Sequence, residues 1–264
     1  MRAILAHSHL TRLRQFAQSD VIVAFDFDGT LAPIVADPSA AKMRARTAAL
    51  FRRVCELYPC AVISGRSRSD LRLRMAGAKV KWLIGNHGME PGRRLAVYAR
   101  QVRVLRAYFE SAIGDIQGLE IEDKRYSLAL HYRSSREKRR ARARMLTVVE
   151  RSPIRLRVVP GKLVVNVIPE GAPHKGEALV ALRTTAGADT AIYVGDDVTD
   201  EDVFRLDDPG RLLSIRVGRS RNSAAPYFLR SQVEVDGMLA ALVDFRSDAP
   251  GQRTAARRAE EARA

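Results

Sequence analysis

The 264 residues include two cysteines, one tryptophan and only 6% aromatics. Two thiols cannot form a disulfide framework or a four-thiolate metal centre. No apolar run approaches the ~20 residues that a membrane-crossing helix needs, so no membrane partner is expected. The opening stretch MRAILAHSHLTRLRQF is broken by charge at Arg12 and Arg14, whereas a secretory signal needs an unbroken apolar core. Its Ile4, Leu5, His9, Leu10, Leu13 and Phe16 suit a short amphipathic helix instead. The chain therefore reads as cytoplasmic, with Cys55 and Cys60 as reduced, buried structural thiols.

Acidic residues are the scarcer charge: 30 Asp+Glu stand against 45 Lys+Arg, a net charge of +15, and only 7 of the 45 are lysine. That excess favours anionic partners: nucleic acid, an acidic membrane surface or phosphorylated small molecules. The few aromatics are not interleaved with the arginine runs as stacking platforms would be. No zinc spacing or nucleic-acid motif occurs either, so no nucleic acid is expected. The run Arg136, Lys138, Arg139, Arg140, Arg142, Arg144 reads as a solvated helix face. The apolar fraction of 46% suits a globular chain with a real core.

Short apolar runs recur between helical segments. VIVAF (21–25), CAVI (60–63), VKWLI (80–84), TAIYV (190–194) and RLLSIRV (211–217) read as buried strands. ALFRRVCELY (49–58) and KGEALVALRTTA (175–186) read as helices. Apolar strands bounded by helices imply an α/β fold with a parallel sheet covered on both faces. The middle differs: LEIED (119–123), YSLALHYR (126–133), IRLRVV (154–159) and KLVVNVI (162–168) alternate apolar and polar residues. Helical stretches at 95–113 and 135–150 accompany them, and Pro160-Gly161 signals a turn between the last two strands. This is the pattern of an α+β unit inserted into the first domain. The expected boundaries are a core at 1–92 and 171–246, an inserted unit at 93–170 and a flexible or helical tail at 247–264.

The chemistry is concentrated at strand ends. DFDGT places Asp26 and Asp28 directly after an apolar strand. Ligands of parallel sheets sit outside the carboxyl ends of the strands, so both carboxylates should enter one cleft. Such a pair can bind a hard cation such as Mg²⁺, or divide labour, one attacking phosphorus and the other moving protons. A bare Asp-Gly turn would be uninformative; DxDGT after an apolar strand is far more specific. GDDVTDED carries five carboxylates within residues 196–202, which repel one another unless a cation or solvent relieves them. Asp196 is best placed to reach Asp26, while Asp200 and Glu201 suit helix capping as well as a metal role. Ser64-Gly65-Arg66 suits a phosphate oxygen at a helix start. Lys175, at a second helix start, suits a transferred phosphoryl group.

In order, DxDGT, Ser64, Lys175 and GDDxxD resemble the haloacid dehalogenase superfamily of phosphohydrolases. GNHG (85–88), EDKRYSLALHYR (122–133) and GDDVTDEDVF (195–204) resemble its trehalose-6-phosphate phosphatases in particular. The resemblance spans residues 20–245 and implies a Rossmann-like core with an α+β cap. It implies Asp26 as nucleophile, through an aspartyl-phosphate, and Asp28 as general acid and then base. Mg²⁺ would be held by Asp26, the Asp28 backbone carbonyl and Asp196, with Asp200 a further candidate. Ser64 and Lys175 would grip the phosphoryl oxygens. The partner implied is a small sugar phosphate, taken by a monomer: trehalose 6-phosphate, or with a similar cap sucrose phosphate or a glycosyl-phosphoglycerate. Gly29, Arg66, His87, Lys124, His131, Arg133, Lys162 and Asn166 are the substrate-binding candidates, His87 also being readable as a turn histidine. By strand alternation, Tyr126, Leu128, Leu130 and Tyr132 should line the apolar face of the cap sheet, and His131, Arg133, Lys162 and Asn166 the polar one. Asn166 stands where many members of the family carry glutamate, and EGAPHKG is about one residue longer than their common pattern.

Overall fold

A strand that is apolar on both faces stays buried only if helices cover both sides of its sheet. The computed structural model meets this demand; it describes residues 1–161, 163–206 and 208–247, so Lys162 and the tail beyond 247 lie outside the described residues. The first part of the core comprises β1 (Arg2–Ala3), α1 (His7–Gln18), β2 (Val21–Phe25), α2 (Ala45–Leu57), β3 (Cys60–Ile63), α3 (Arg68–Arg74) and β4 (Trp82–Ile84). An inserted unit follows: α4 (Leu95–Ile113), β5 (Glu120–Asp123), β6 (Leu128–His131), α5 (Lys138–Glu150), β7 (Leu156–Gly161) and β8 (Val164–Pro169). The chain then returns through α6 (Lys175–Ala186), β9 (Thr190–Gly195), α7 (Glu201–Phe204), β10 (Leu212–Val217), β11 (Tyr227–Leu229) and α8 (Glu234–Ser247).

The core sheet is parallel, in the order β1-β11-β10-β9-β2-β3-β4. Along β2, Val21, Val23 and Phe25 pack with α1, α2 and α8, among them Leu13, Phe51 and Leu239. Ile22 and Ala24 face the other way, onto Leu179 and Leu182 of α6 and Phe204 of α7. Each such large side chain, once fully buried, contributes about 1.5–3 kcal/mol. The strand order turns outward in both directions from β2 and β9, which pair through Phe25 and Val194. That switch point is where a parallel sheet opens a crevice. No helix among the described residues is long and apolar enough to cross a membrane.

The second sheet is antiparallel, in the order β5-β6-β8-β7. Leu128, Leu130, Tyr132, Val165 and Val167 pack under Leu105 and Phe109 of α4 and Met145 of α5, the apolar face that alternation predicts. Two details differ from expectation. Tyr126 lies in the β5–β6 turn, before β6 begins, and joins Met89, Tyr98, Val159, Ile168 and Ala172 in a separate cluster. Val159 and Ile168 share the opposite sheet face with Asn166 and Arg157, so that face is a mixture of apolar and polar residues. Pro160 and Gly161 also close β7 rather than turn the chain, because Gly161 already pairs with Val164 of β8.

Candidate active site

Asp26 and Asp196 follow adjacent strands, and the Asp26 N–H donates to Val194 O at 2.8 Å. Both open onto a cleft of about 720 Å³ that reaches from these strand ends to the β5–β6 hairpin of the inserted unit. Gly29 makes the close approach possible: its φ is +81°, and a Cβ there would lie 2.0 Å from Asp196 Oδ2. Thr30 Oγ1 donates to Asp196 Oδ1 at 3.2 Å and orients that carboxylate.

Lys175 is the first residue of α6 and is 1% exposed. Its Nζ donates to Asp200 Oδ1 at 2.7 Å and lies 3.2 Å from Asp26 Oδ1. Burial alone would pull this amine down, but Asp200 and Asp26 outweigh it and hold the group charged, well above the ordinary lysine range. Asp200 is fully buried and fully occupied. Oδ1 accepts from Lys175 and from Tyr193 Oη at 2.6 Å, and Oδ2 accepts the Asp196 and Asp197 N–H groups, each at 2.8 Å. Four donors saturate its lone pairs, so Asp200 holds Lys175 and the loop after β9. Gly195 leaves room for it, since a Cβ there would stand 2.3 Å from Asp200 Cγ. Glu201 is likewise engaged, by Arg216 at 3.1 Å and the Ala224 N–H at 2.9 Å.

Ligand oxygens of Asp26, Asp196 and Asp200 lie within 4.8 Å of one another. Asp26 Oδ1 is buried and makes no hydrogen bond, its contact with Lys175 being an ion pair without hydrogen-bond alignment. Burial raises the Asp26 carboxyl well above its usual range; Lys175 opposes this, and Asp200 and Asp196 add to it. Asp196 is pushed up to about 7, by burial first and Asp200 next. Two carboxyls so short of compensating charge, one with an orphaned oxygen, suit a hard divalent cation.

Ser64 directly follows β3, is 1% exposed and lines the cleft. Beyond β4, Asn86 and His87 have consecutive left-handed backbones, φ +48° and +58°, held by Asn86 N–H to Arg66 O at 2.8 Å and His87 N–H to Ser64 O at 2.9 Å. The His87 ring lies on Gly65, where a Cβ would stand 2.5 Å from Cε1. Burial, with Lys175, Lys124 and Arg157 nearby, keeps the imidazole neutral. Asn86 Nδ2 and His87 Nδ1 have no protein partner. Both residues line the cleft.

The hairpin of the inserted unit supplies the facing wall. Glu122 Oε2 pairs with His131 Nε2 at 2.9 Å and lies 3.8 Å from Lys124 Nζ. The His131 hydrogen bond holds the Glu122 carboxyl below its usual range. Arg157 of β7 bridges to Asp202 of α7 at 2.6 Å, tying the unit to the core.

Of the residues singled out from sequence, the fold brings Asp26, Asp28, Ser64, Arg66, His87, Lys124, His131, Lys175 and Asp196 to one cleft. Gly29 backs Asp196 instead of lining it. Asn166 donates to Val159 O at 3.4 Å, within its own sheet. Arg133 is exposed past the end of β6, outside the cleft. Arg66 is turned onto Asp28, with Nε to Oδ2 at 2.6 Å and Nη2 to Oδ1 at 2.7 Å. Sequence reasoning missed Asn86, Glu122 and Arg125, which also line the cleft. The first lies in GNHG and the others in EDKRYS, strings already singled out, so alternation and turn position were the available signals.

A family model described as trehalose-phosphatase matches residues 24–232. A probable trehalose-phosphate phosphatase 4 of Oryza sativa subsp. japonica is 30% identical over 245 residues, covering 86% of this chain and 66% of that protein. A trehalose-phosphate phosphatase of Mycolicibacterium paratuberculosis is 34% identical over 200 residues, covering 69% and 50%. This chain thus spans from half to just under two thirds of the length of these two relatives. Among solved structures, the C-terminal domain of a C. albicans trehalose-6-phosphate phosphatase superposes with a TM-score of 0.72 at 21% identity, covering 92% of this chain and 98% of that one. At that identity the likeness speaks for the fold alone.

Proposed function

This chain belongs to the trehalose-phosphatase family, and from that premise we propose that it is a Mg²⁺-dependent phosphatase, a cytoplasmic monomer that converts trehalose 6-phosphate to trehalose and phosphate. The observation that carries the reading is Asp26: a buried carboxylate at the end of β2, with an orphaned oxygen, between Lys175 and Asp196. Asp26 attacks phosphorus, and the bond to the sugar oxygen breaks with its electron pair staying on that oxygen. Asp28 supplies the proton that completes the alcohol. Ionised Asp28 then takes a proton from the water that attacks the aspartyl-phosphate, releasing phosphate and restoring Asp26. Ser64 and Lys175 hold the phosphoryl oxygens, Lys175 bringing the positive charge that the transition state needs. Asp26, Asp196 and the Asp28 backbone carbonyl would hold Mg²⁺, which when bound offsets carboxylate and phosphoryl charge. The sugar would sit between the core and the Glu122, Lys124 and His131 wall, with neutral His87 beside the phosphoryl site. The wall would exclude water as it closes.

The deciding experiment is phosphate release from a panel of sugar phosphates, with Mg²⁺ and with EDTA. Strong preference for trehalose 6-phosphate and loss of turnover in EDTA are expected. Equal or better turnover of sucrose phosphate or a glycosyl-phosphoglycerate would refute the substrate assignment.

The raised carboxyls also predict a linkage. Asp26 is raised above the usual 3.8 and Asp196 to about 7, so the folded state keeps protons that the unfolded chain has released. Their stabilising effect is complete below pH ~4 and is lost as pH rises toward ~7. Cation binding requires the deprotonated forms. The rise in melting temperature on adding Mg²⁺ should therefore be small near pH 5 and larger near pH 8. A Mg²⁺ shift independent of pH, read by thermal unfolding, would count against these carboxylates as the ligands.

A further inference from the structure

Arg66 lies just past Ser64, on the turn into α3, and its side chain is 12% exposed. Its guanidinium grips both oxygens of Asp28, at 2.6 and 2.7 Å. Nη1 donates to Asp70 Oδ2 at 2.8 Å, and Nη2 also donates to Pro38 O at 2.8 Å. Of five guanidinium N–H groups, four are thus engaged within the protein. The group also lies over the Phe27 ring, 5.6 Å from its centroid. Asp70 is braced in turn by Arg74 Nε at 2.9 Å, and Arg74 Nη1 reaches the carbonyls of Ser39 and Ala41. One network therefore runs from Asp28 through Arg66 and Asp70 to the 38–41 segment at the rim of the cleft. Arg66 has little left to offer a phosphoryl group, and the phosphoryl end already has Lys175.

We propose that Arg66 is a positioning residue for Asp28, setting the plane and reach of that carboxyl toward the leaving sugar oxygen, and is not a receptor for the phosphoryl oxygens. The inference rests on the phosphatase reading above, in which Asp28 moves the protons. A carboxylate gripped by two parallel N–H bonds has a fixed plane, which a single bond does not give. As the acid, Asp28 carries its proton on one oxygen, keeps both oxygens facing the guanidinium fork through their free lone pairs, and directs that O–H to the leaving oxygen. The P–O bond breaks, its electron pair goes to the sugar oxygen, and the Asp28 proton completes the alcohol. The later transfer of a proton from the attacking water to ionised Asp28 is common to every ester, and the role assigned to Arg66 does not extend to it.

Leaving-group dependence separates this role from a staple of the rim segment. A sugar alkoxide needs protonation to depart, whereas p-nitrophenolate does not. The test measures kcat and KM of the full chain, with Mg²⁺, on trehalose 6-phosphate and on p-nitrophenyl phosphate. Arg66→Ala should lower kcat on the sugar ester by ~100-fold and on the aryl ester by less than ~5-fold, the scale of a general acid's contribution. KM for the sugar ester should change little, and added guanidinium ion should restore part of the lost kcat. Arg66→Lys, which lacks the fork needed for a two-point grip, should show the same selective loss. It carries the test alone if the alanine variant does not fold. Equal losses on both esters, no loss on either, or an effect confined to KM would overturn the proposal. A wild type inactive on both esters would instead overturn the phosphatase reading, and the proposal with it.

Discussion

Replacing Asp26 with asparagine is expected to lower phosphate release by at least ~10⁴-fold, the scale seen when a nucleophile is removed, while leaving the fold intact. Asparagine keeps the shape and removes the charge, and an amide cannot form the aspartyl-phosphate. The stability outcome makes this prediction specific. Burial outweighs Lys175 in its effect on the Asp26 carboxyl, so the ionised group is unfavourable in the metal-free fold at neutral pH. Lys175 keeps Asp200 as its partner at 2.7 Å in the variant. In EDTA, Asp26→Asn should therefore melt no lower than the wild type, and its advantage should grow as pH rises and the wild-type carboxyl gives up its proton. Retained turnover would remove Asp26 from the role of nucleophile. Lost turnover with a collapsed melting temperature would make the residue structural.

Lys175→Met should act on activity and stability together. The ammonium is 1% exposed and faces two buried carboxylates. Removing it leaves Asp26, Asp196 and Asp200 facing one another without that counter-charge. Breaking a buried pair from one side costs about 3–5 kcal/mol, because the partner charge stays buried and uncompensated. Denaturant unfolding in EDTA should show a loss of that order, and kcat should fall by ~10²–10³-fold with the loss of a donor to the phosphoryl group. Adding Asp200→Asn should recover stability and leave activity low. That non-additivity is expected of residues sharing one network. If the single variant unfolded at the wild-type denaturant concentration, the ion pairs drawn through Lys175 would be unsupported.

The apolar runs at 21–25, 60–63 and 190–194 became β2, β3 and β9, because a strand buried on both faces needs an unbroken apolar run and helices on either side. The edge strand β1 meets its neighbour β11 only through Arg2 with Tyr227 and Ala3 with Phe228, and β11 itself is three residues long. Such short segments lack a period to read, and only tertiary packing creates them. Tyr126 followed the β6 alternation in sequence but fell in a turn, since alternation cannot tell where a strand begins.

The site divides in the same way. Asp26, Asp28 and Asp196 were readable because each follows an apolar strand, and in a parallel sheet strand ends are where ligands bind. What they do to one another was not readable. Asp200 sits in a run of carboxylates, yet its four donors come from Lys175, Tyr193 and the Asp196 and Asp197 backbone. Arg66 reads as an anion-binding residue of an SGR string until the fold closes it onto Asp28, 38 positions earlier. By itself the sequence determined the central strands, the long helices and the kind of chemistry, since these depend on local periodicity and residue type. Only the tertiary structure decided which charges face one another, how each is satisfied and which remains unpaired, because those follow from burial and from neighbours distant in the chain.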